Sequence, residues 1–484
     1  MRKIAKNTGA YTLAGLMPYF AGFFLLPIYT RFIDQAEYGM LPMLSALSSF
    51  LAVFLGLQIG SSLPRLYFDY KGRDVKVFFS TLLYSIVGIN IILLSALHIL
   101  GHRFAALVFP RANIPYSPYV LIVLVTLFCV SLSSCCNFML RVQERGRAVL
   151  VVAIVSTLVR AAAGLYFVVY LHAGAYGFLM AGLISAVVNV VLLFLAVSPS
   201  VVIGFDAHMA LSALRYSLPL IPHSLGAVLF IYSDKIILGY FVPLASVALY
   251  GIADQVSMLL RLFVNSFNSA NSPQFMRLSE KSPEKTAETY RDIITQWAVA
   301  VGVLYLLLAL FSEELLCLLP EEYRGAYEFI PILLGAYVFR GLYCFAMNSI
   351  LFKKKTRVVP WITFIAGSVN IVGNILLIPR FGIVMAAWTT LASFAIYFLM
   401  ALRYSRKYFP LQFEWFALTR IFGTMLLVFF AVFLLCGNVW WQNILVKMLG
   451  CASYVAVLLM WNDGDIRGGV RIGLDAMREW RRHG

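Results

Sequence analysis

Residues 174–197 read GAYGFLMAGLISAVVNVVLLFLAV, a run without one acidic, basic or histidine side chain. A helix needs about 20 apolar residues to cross the hydrocarbon of a bilayer, so this stretch suffices on its own. The rest of the chain repeats it. Apolar segments at 8–31, 40–64, 77–100, 116–140 and 148–171 precede it, and 215–241, 243–270, 292–312, 326–351, 358–378, 381–402, 417–437 and 440–461 follow. The alternating polarity of a membrane β-barrel strand is absent. These segments predict an all-α polytopic membrane protein with about 14 transmembrane helices. Composition agrees: 61% of the 484 residues are hydrophobic and 12% charged, with mean hydropathy +0.85. A soluble domain carries about 25% charged residues, so a cytosolic enzyme, a disordered chain and a secreted disulfide scaffold are all excluded. No A-x-A type cleavage site accompanies the first span, which is expected to stay in the mature protein.

The net charge of +16 and pI near 9.5 raise the question of nucleic acid, and the positions of the charges answer it. With the N-terminus inside, one side of the membrane collects 27 of the 38 basic residues. They include Arg65, Lys71, Arg73, Lys76, Arg141, Arg145, Arg147, the run Lys353, Lys354, Lys355, Arg357, and the tail residues Arg467, Arg471, Arg478, Arg481 and Arg482. The other side holds Arg31, Arg103, Arg111, Arg324 and Arg380. Positive charge accumulates in cytoplasmic loops, so both termini are expected in the cytoplasm and no nucleic-acid partner is needed.

The spans divide as six, six and two. The expected boundaries are 1–200 for an N-terminal lobe, 201–410 for a C-terminal lobe, and 411–484 for two added helices with a basic tail. Matched landmarks support an internal duplication. Pro18 and Pro27 in span one answer to Pro219 and Pro222 in span seven, and Tyr38-Gly39 answers to Tyr250-Gly251. Six is even, so the repeats are parallel, with a central cleft expected between them. Prolines inside a membrane helix free backbone groups, which predicts bent opening helices facing that cleft. The seven cysteines and six histidines form no ligand spacing; no metal and no cofactor is expected, and the cysteines read as small packing residues.

Ionisable groups inside spans carry the functional signal, since each costs about 2.5–3.5 kcal/mol to insert. The basic ones are Arg160 in span five, Lys235 in span seven, Arg261 in span eight and Arg340 in span ten, with Arg31 at the outer end of span one. Arg420 and Lys447 lie in the terminal pair, and the acidic ones are Asp234 and Asp254. In span eight, Asp254, Ser257, Arg261, Asn265, Asn268 and Ser272 recur at steps of three and four, which is one helix face. A polar face with a mid-span arginine is expected to line a water-filled cavity. Ser156, Arg160 and Gly164 repeat the theme in span five, whereas Thr363, Gly367, Asn370 and Asn374 in span eleven read as helix–helix packing. Asp234 and Lys235 point about 100° apart on a helix and pair poorly with each other. Lys235 with Asp254 is the expected ion pair, either a latch or a coupling site.

There is no P-loop, H-E-x-x-H or G-x-S-x-G motif, and Asp34 and Glu37 sit on a turn too short for a metal-dependent transferase site. The stretch Asn7-Thr8, Pro27-Ile28-Tyr29-Thr30-Arg31 and Glu37-Tyr38-Gly39 resembles the opening of lipid-linked oligosaccharide flippases. So does Tyr232-Ser233-Asp234-Lys235-Ile236-Ile237-Leu238-Gly239-Tyr240-Phe241 with Leu249-Tyr250-Gly251-Ile252-Ala253. These belong to the polysaccharide-transport branch of the multidrug/oligosaccharidyl-lipid/polysaccharide flippase superfamily. The resemblance implies two six-helix lobes in a V-shaped arrangement with two C-terminal helices, working by alternating access. It implies translocation of undecaprenyl-pyrophosphate-linked sugar units across the bacterial inner membrane for O-antigen (lipopolysaccharide), capsule or exopolysaccharide. Its partners would be that lipid-linked oligosaccharide, membrane lipids, and a polymerase or other assembly proteins. Arg31, Arg160, Arg261 and Arg340, with Asn265 and Asn268, then become substrate residues, because guanidinium pairs bidentately with phosphate oxygens. The alternatives are a cation-coupled multidrug exporter using Asp234 or Asp254, and a membrane glycosyltransferase or polymerase, which normally carries a large external loop.

The topology is testable by cysteine labelling. Single cysteines placed at 353–357 and 141–147 are expected to react only after permeabilisation, and those at 101–115 and 313–325 in intact cells. Labelling of 353–355 in intact cells would reverse the orientation.

Overall fold

A computed structural model describes residues 2–111, 114–409, 411–437 and 439–461; the basic tail residues Arg467 to Arg482 lie outside the described residues. Among the described residues, fourteen helices are long and apolar enough to cross a membrane. They are α1 (Gly9–Phe32), α2 (Gln35–Asp69), α3 (Arg73–Ile99), α4 (Tyr116–Val142), α5 (Gly146–Tyr170), α6 (Gly174–Ser200) and α7 (Leu220–Phe241). The series continues with α8 (Leu244–Lys281), α9 (Pro283–Leu310), α10 (Ile330–Phe352), α11 (Thr356–Phe381), α12 (Val384–Tyr408), α13 (Trp415–Leu435) and α14 (Trp440–Met460). The fold is the all-α polytopic one that the apolar runs predict. Among the described residues, packing forms two compact units, one within 1–251 with 378–383 and the other within 252–377 with the described residues from 384 to 461.

In the first unit, Ile59, Leu63, Phe78, Phe79, Leu82, Cys135, Cys136 and Met139 make a dry core from α2, α3 and α4. Cys129, Cys135 and Cys136 are buried packing residues, whereas Cys317 in the second unit is exposed.

Span two is not the continuous helix its hydropathy predicts. The regular helix ends at Phe54, and Gly56, Leu57 and Gln58 all take positive φ, at 63°, 45° and 57°. Left-handed backbone costs roughly 1–2 kcal/mol per non-glycine residue, and it persists only where the surroundings hold it. Here the fully buried Asn90 of α3 does so. Its Oδ1 accepts the Gly56 N–H at 2.6 Å, and its Nδ2 donates to Ser131 Oγ of α4 at 2.5 Å. Hydropathy reports what leaves water, and not how the backbone turns; one buried amide on another helix decided the break.

The paired prolines also differ between the halves. Pro18 and Pro27 lie inside the first helix, as expected. Pro219 caps α7 and Pro222 falls in its first turn, where the missing N–H has no helical partner to lose. The second pair therefore starts a helix, which begins at Leu220 and not at 215. Before it, the helix Ala207–Ser217 is capped by Asp206, whose carboxylate accepts the N–H groups of His208 and Met209.

The Tyr-Gly landmarks meet in space. A Cβ on Gly39 of α2 would sit 1.9 Å from the Leu244 carbonyl oxygen, at the start of α8. A Cβ on Gly251 would sit 2.5 Å from Pro42 Cγ, back on α2. Each glycine lets the other's helix come close, the small-residue device of membrane helix packing. In the second unit, Gly341 of α10 does the same for the Trp297 ring of α9. Asn370 and Asn374 tie α11 to Thr390 and Thr389 of α12, so the span-eleven stripe is packing, as its small and amide residues predicted.

Two stability measurements follow. Gly39→Ala is expected to cost about 1–3 kcal/mol through overpacking and to lower the thermal midpoint of the purified protein, while Gly9→Ala, which meets nothing within 4 Å, leaves it unchanged. Asn90→Leu strands the buried Gly56 N–H, at about 1–3 kcal/mol, and is likewise expected to lower the midpoint; an unchanged midpoint would show that the break holds without Asn90.

Candidate functional site

In the first unit, the polar stripe of α5 splits by role. Ser156 faces inward and fastens α6: Ser185 Oγ donates to the Ser156 carbonyl at 2.8 Å, and Asn189 Nδ2 to Ser156 Oγ at 3.1 Å. One turn on, Arg160 is exposed. Its guanidinium carbon stands 5.5 Å from the Phe178 ring centre of α6, and that ring meets Tyr29 of α1 edge-on at 5.3 Å. A Cβ on Gly164 would lie 2.1 Å from the Tyr29 hydroxyl, so the glycine makes room for this aromatic wall. Arg31 is exposed at the end of α1. The outer-turn carboxylates are structural: Asp34 caps α2, accepting the Ala36 N–H at 2.9 Å, and Glu37 accepts the Ala175 N–H at 2.9 Å, at the positive end of α6.

Asp234 and Lys235 of α7 are both buried. Asp234 Oδ2 accepts the Tyr250 hydroxyl at 2.6 Å. The long Lys235 stem turns back to bring Nζ within 3.7 Å of Asp234 Oδ1, ion-pair range but beyond hydrogen-bond length. The ammonium lies over Tyr232 and Tyr250, at 5.4 and 5.9 Å from their ring centres. Neighbours on a helix therefore do pair here, though loosely, because four methylenes span the angle that the backbone opens.

In the second unit, the α8 face is heterogeneous. Ser257 is fully buried, Asn265 is exposed, and Asp254, Arg261 and Asn268 are half-buried. Asn268 accepts from Asn348 Nδ2 of α10 at 3.4 Å. Tyr337 of α10 organises the charged end: its hydroxyl donates to Asp254 Oδ1 at 2.8 Å, and its ring carries the Arg261 guanidinium at 5.6 Å. Arg340, one turn along the same helix, lies over Phe394 of α12 at 5.9 Å. The Tyr337 and Phe394 ring centres are 6.1 Å apart.

Arg160, Arg261 and Arg340 thus share one design. Each guanidinium stands against an aromatic ring, within cation–π range of its centre. The structure brings Arg261, Asp254 and Arg340 together through Tyr337 and Phe394, and gathers Asp234 with Lys235. Reading charged residues alone missed Tyr29, Phe178, Tyr337 and Phe394. One signal was available: Tyr337 and Arg340 are three apart and so share a helix face.

The sequence pattern of the family described as polysaccharide biosynthesis protein matches residues 4–279. A relative from Haloferax volcanii, a probable low-salt glycan biosynthesis flippase, is 25% identical over 208 residues, covering 43% of this chain and 44% of the relative. The match thus spans less than half the length of that protein. Among solved structures, a lipid II flippase in an inward closed conformation superposes with TM-score 0.75 at 15% identity, covering 93% of this chain and 98% of the other. An inward-facing multidrug transporter of the multidrug/oligosaccharidyl-lipid/polysaccharide superfamily gives 0.64 at 13%, covering 82% and 94%. Those likenesses establish the fold, and with more than half its length matched, the chain belongs to the polysaccharide biosynthesis protein family.

Proposed function

We propose that this chain is a flippase for lipid-linked glycan units, with the carrier an undecaprenyl pyrophosphate and the membrane the bacterial inner membrane, both termini cytoplasmic. The observation that carries this reading is the set of arginines within candidate spans, each partly exposed and each backed by a ring. A pyrophosphate is a dense anion with oxygens in the spacing that guanidinium pairs bidentately. Aromatic backing holds the fork still, so less freedom is lost when phosphate arrives. The family match and the flippase named among its relatives support glycan as the cargo. The work is translocation, with no bond in the substrate made or broken. Alternating exposure of these arginines to the two membrane faces would carry the phosphate across, with Asn265 and Asn268 offering further polar contacts and Arg31 at the outer end of α1. Asp234 and Lys235, buried together against Tyr250, are the coupling group in this scheme. The chain's two halves, 1–200 and 201–410, are then duplicated carriers, with 411–484 an addition.

The test uses cells lacking the gene. Arg261→Ala is expected to abolish surface polymer, with lipid-linked glycan retained inside, while the protein accumulates normally. Arg261→Lys keeps the charge but loses the planar fork and is expected to retain partial export. Normal polymer in the deletion strain together with lowered drug tolerance would overturn the glycan reading in favour of a multidrug exporter.

A further inference from the structure

A second polar site lies in the second unit, away from the arginines. The segment between α9 and α10 contains the short helix Ser312–Leu316 and the turn Glu321–Glu328. Against the start of α14 it forms a cavity of about 230 Å³, lined by Glu313, Glu314, Arg324, Tyr327, Trp440 and Asn443 among others. At about 30 Å³ of liquid per water, that is room for roughly eight waters or one pyranose ring.

Lys447 of α14 holds two of the lining carboxylates. Its side chain is 5% exposed, and its ammonium donates to Glu313 Oε2 at 3.1 Å and to Glu314 Oε1 and Oε2 at 2.8 and 3.0 Å. A buried ammonium needs such satisfaction, and in supplying it the two carboxylates are fixed in place. Glu313 still exposes half its side chain, leaving Oε1 as an acceptor. Asn443 is spent on closing the α13–α14 turn, exchanging two hydrogen bonds of 2.9 Å with Gly437. Arg324 is half-exposed and pairs with Glu321 at 3.2 Å, and Trp440 is 65% exposed. Tyr327 lies outside the spans; burial, with Glu328 and Glu313 nearby, pushes its phenol up, so at neutral pH it remains a donor.

Arg324 is answered by Glu321, and Lys447 alone stands against Glu313 and Glu314, so the lining keeps one carboxylate in excess and disfavours an anion. What remains is an aromatic plate beside fixed acceptors and donors. A sugar ring has the complementary surface: a face of C–H groups, which packs on an aromatic ring, and a rim of hydroxyls that both donate and accept.

We infer that this pocket binds one neutral pyranose of a glycan, with the ring against Trp440 and its hydroxyls on Glu313, Glu314 and Arg324. The inference extends the glycan reading above by naming where sugar is held, and free-glycoside binding tests it without transport. Full-length protein in nanodiscs is examined by saturation-transfer NMR with the methyl glycosides of glucose, galactose and N-acetylglucosamine. Transfer to the ring protons of at least one is expected, lost in Trp440→Ala and reduced several-fold in Glu313→Gln. It is expected to persist in Trp441→Ala, whose indole is as exposed but does not line the cavity. Thermal midpoints matching the wild type certify the variants as folded. No transfer from any of the three glycosides, or equal loss in Trp441→Ala and Trp440→Ala, would overturn the pocket. Polymer loss in Arg261→Ala alongside silent glycosides would leave the flippase reading standing and remove only this site.

Discussion

Hydrocarbon offers no hydrogen bonds, so each polar group this chain carries between its apolar residues must be satisfied by the protein or by water in a cavity. That constraint arranges the interior. Asn90 exists at full burial because it closes the one place where α2 leaves helical geometry. Ser156, Asn189, Asn370 and Asn374 fasten neighbouring helices where lipid would leave them stranded. Lys447 reaches two carboxylates before it leaves water.

Three arginines inside candidate spans are backed by rings. A guanidinium over an aromatic face is held electrostatically by the ring quadrupole, at about 0.5–2 kcal/mol. Arg160 with Phe178, Arg261 with Tyr337 and Arg340 with Phe394 repeat the arrangement on three different helices. Tyr337 does double duty, since its hydroxyl also occupies Asp254.

Glycine placement connects packing to one of these arginines. Gly164 admits Tyr29, which supports Phe178 under Arg160, and Gly39 and Gly251 bring α2 and the start of α8 together. The Tyr-Gly pairs read from the sequence as turn markers matched by duplication; in the fold they lie within α2 and α8 and are contact points between those two helices.

The helical class and the number of candidate spans were legible in the amino-acid order alone. Those properties follow from composition along the chain, because transfer out of water is paid residue by residue. Packing in three dimensions is what breaks span two at Gly56, starts a helix at Pro219 and Pro222, turns Lys235 back on Asp234 and places rings behind the arginines. Each of these depends on a partner far away in sequence: Asn90 lies 34 positions from Gly56, and Tyr337 lies 83 from Asp254. Hydropathy and helical periodicity describe what one helix wants. Which neighbour meets it is settled by packing, which no single segment encodes.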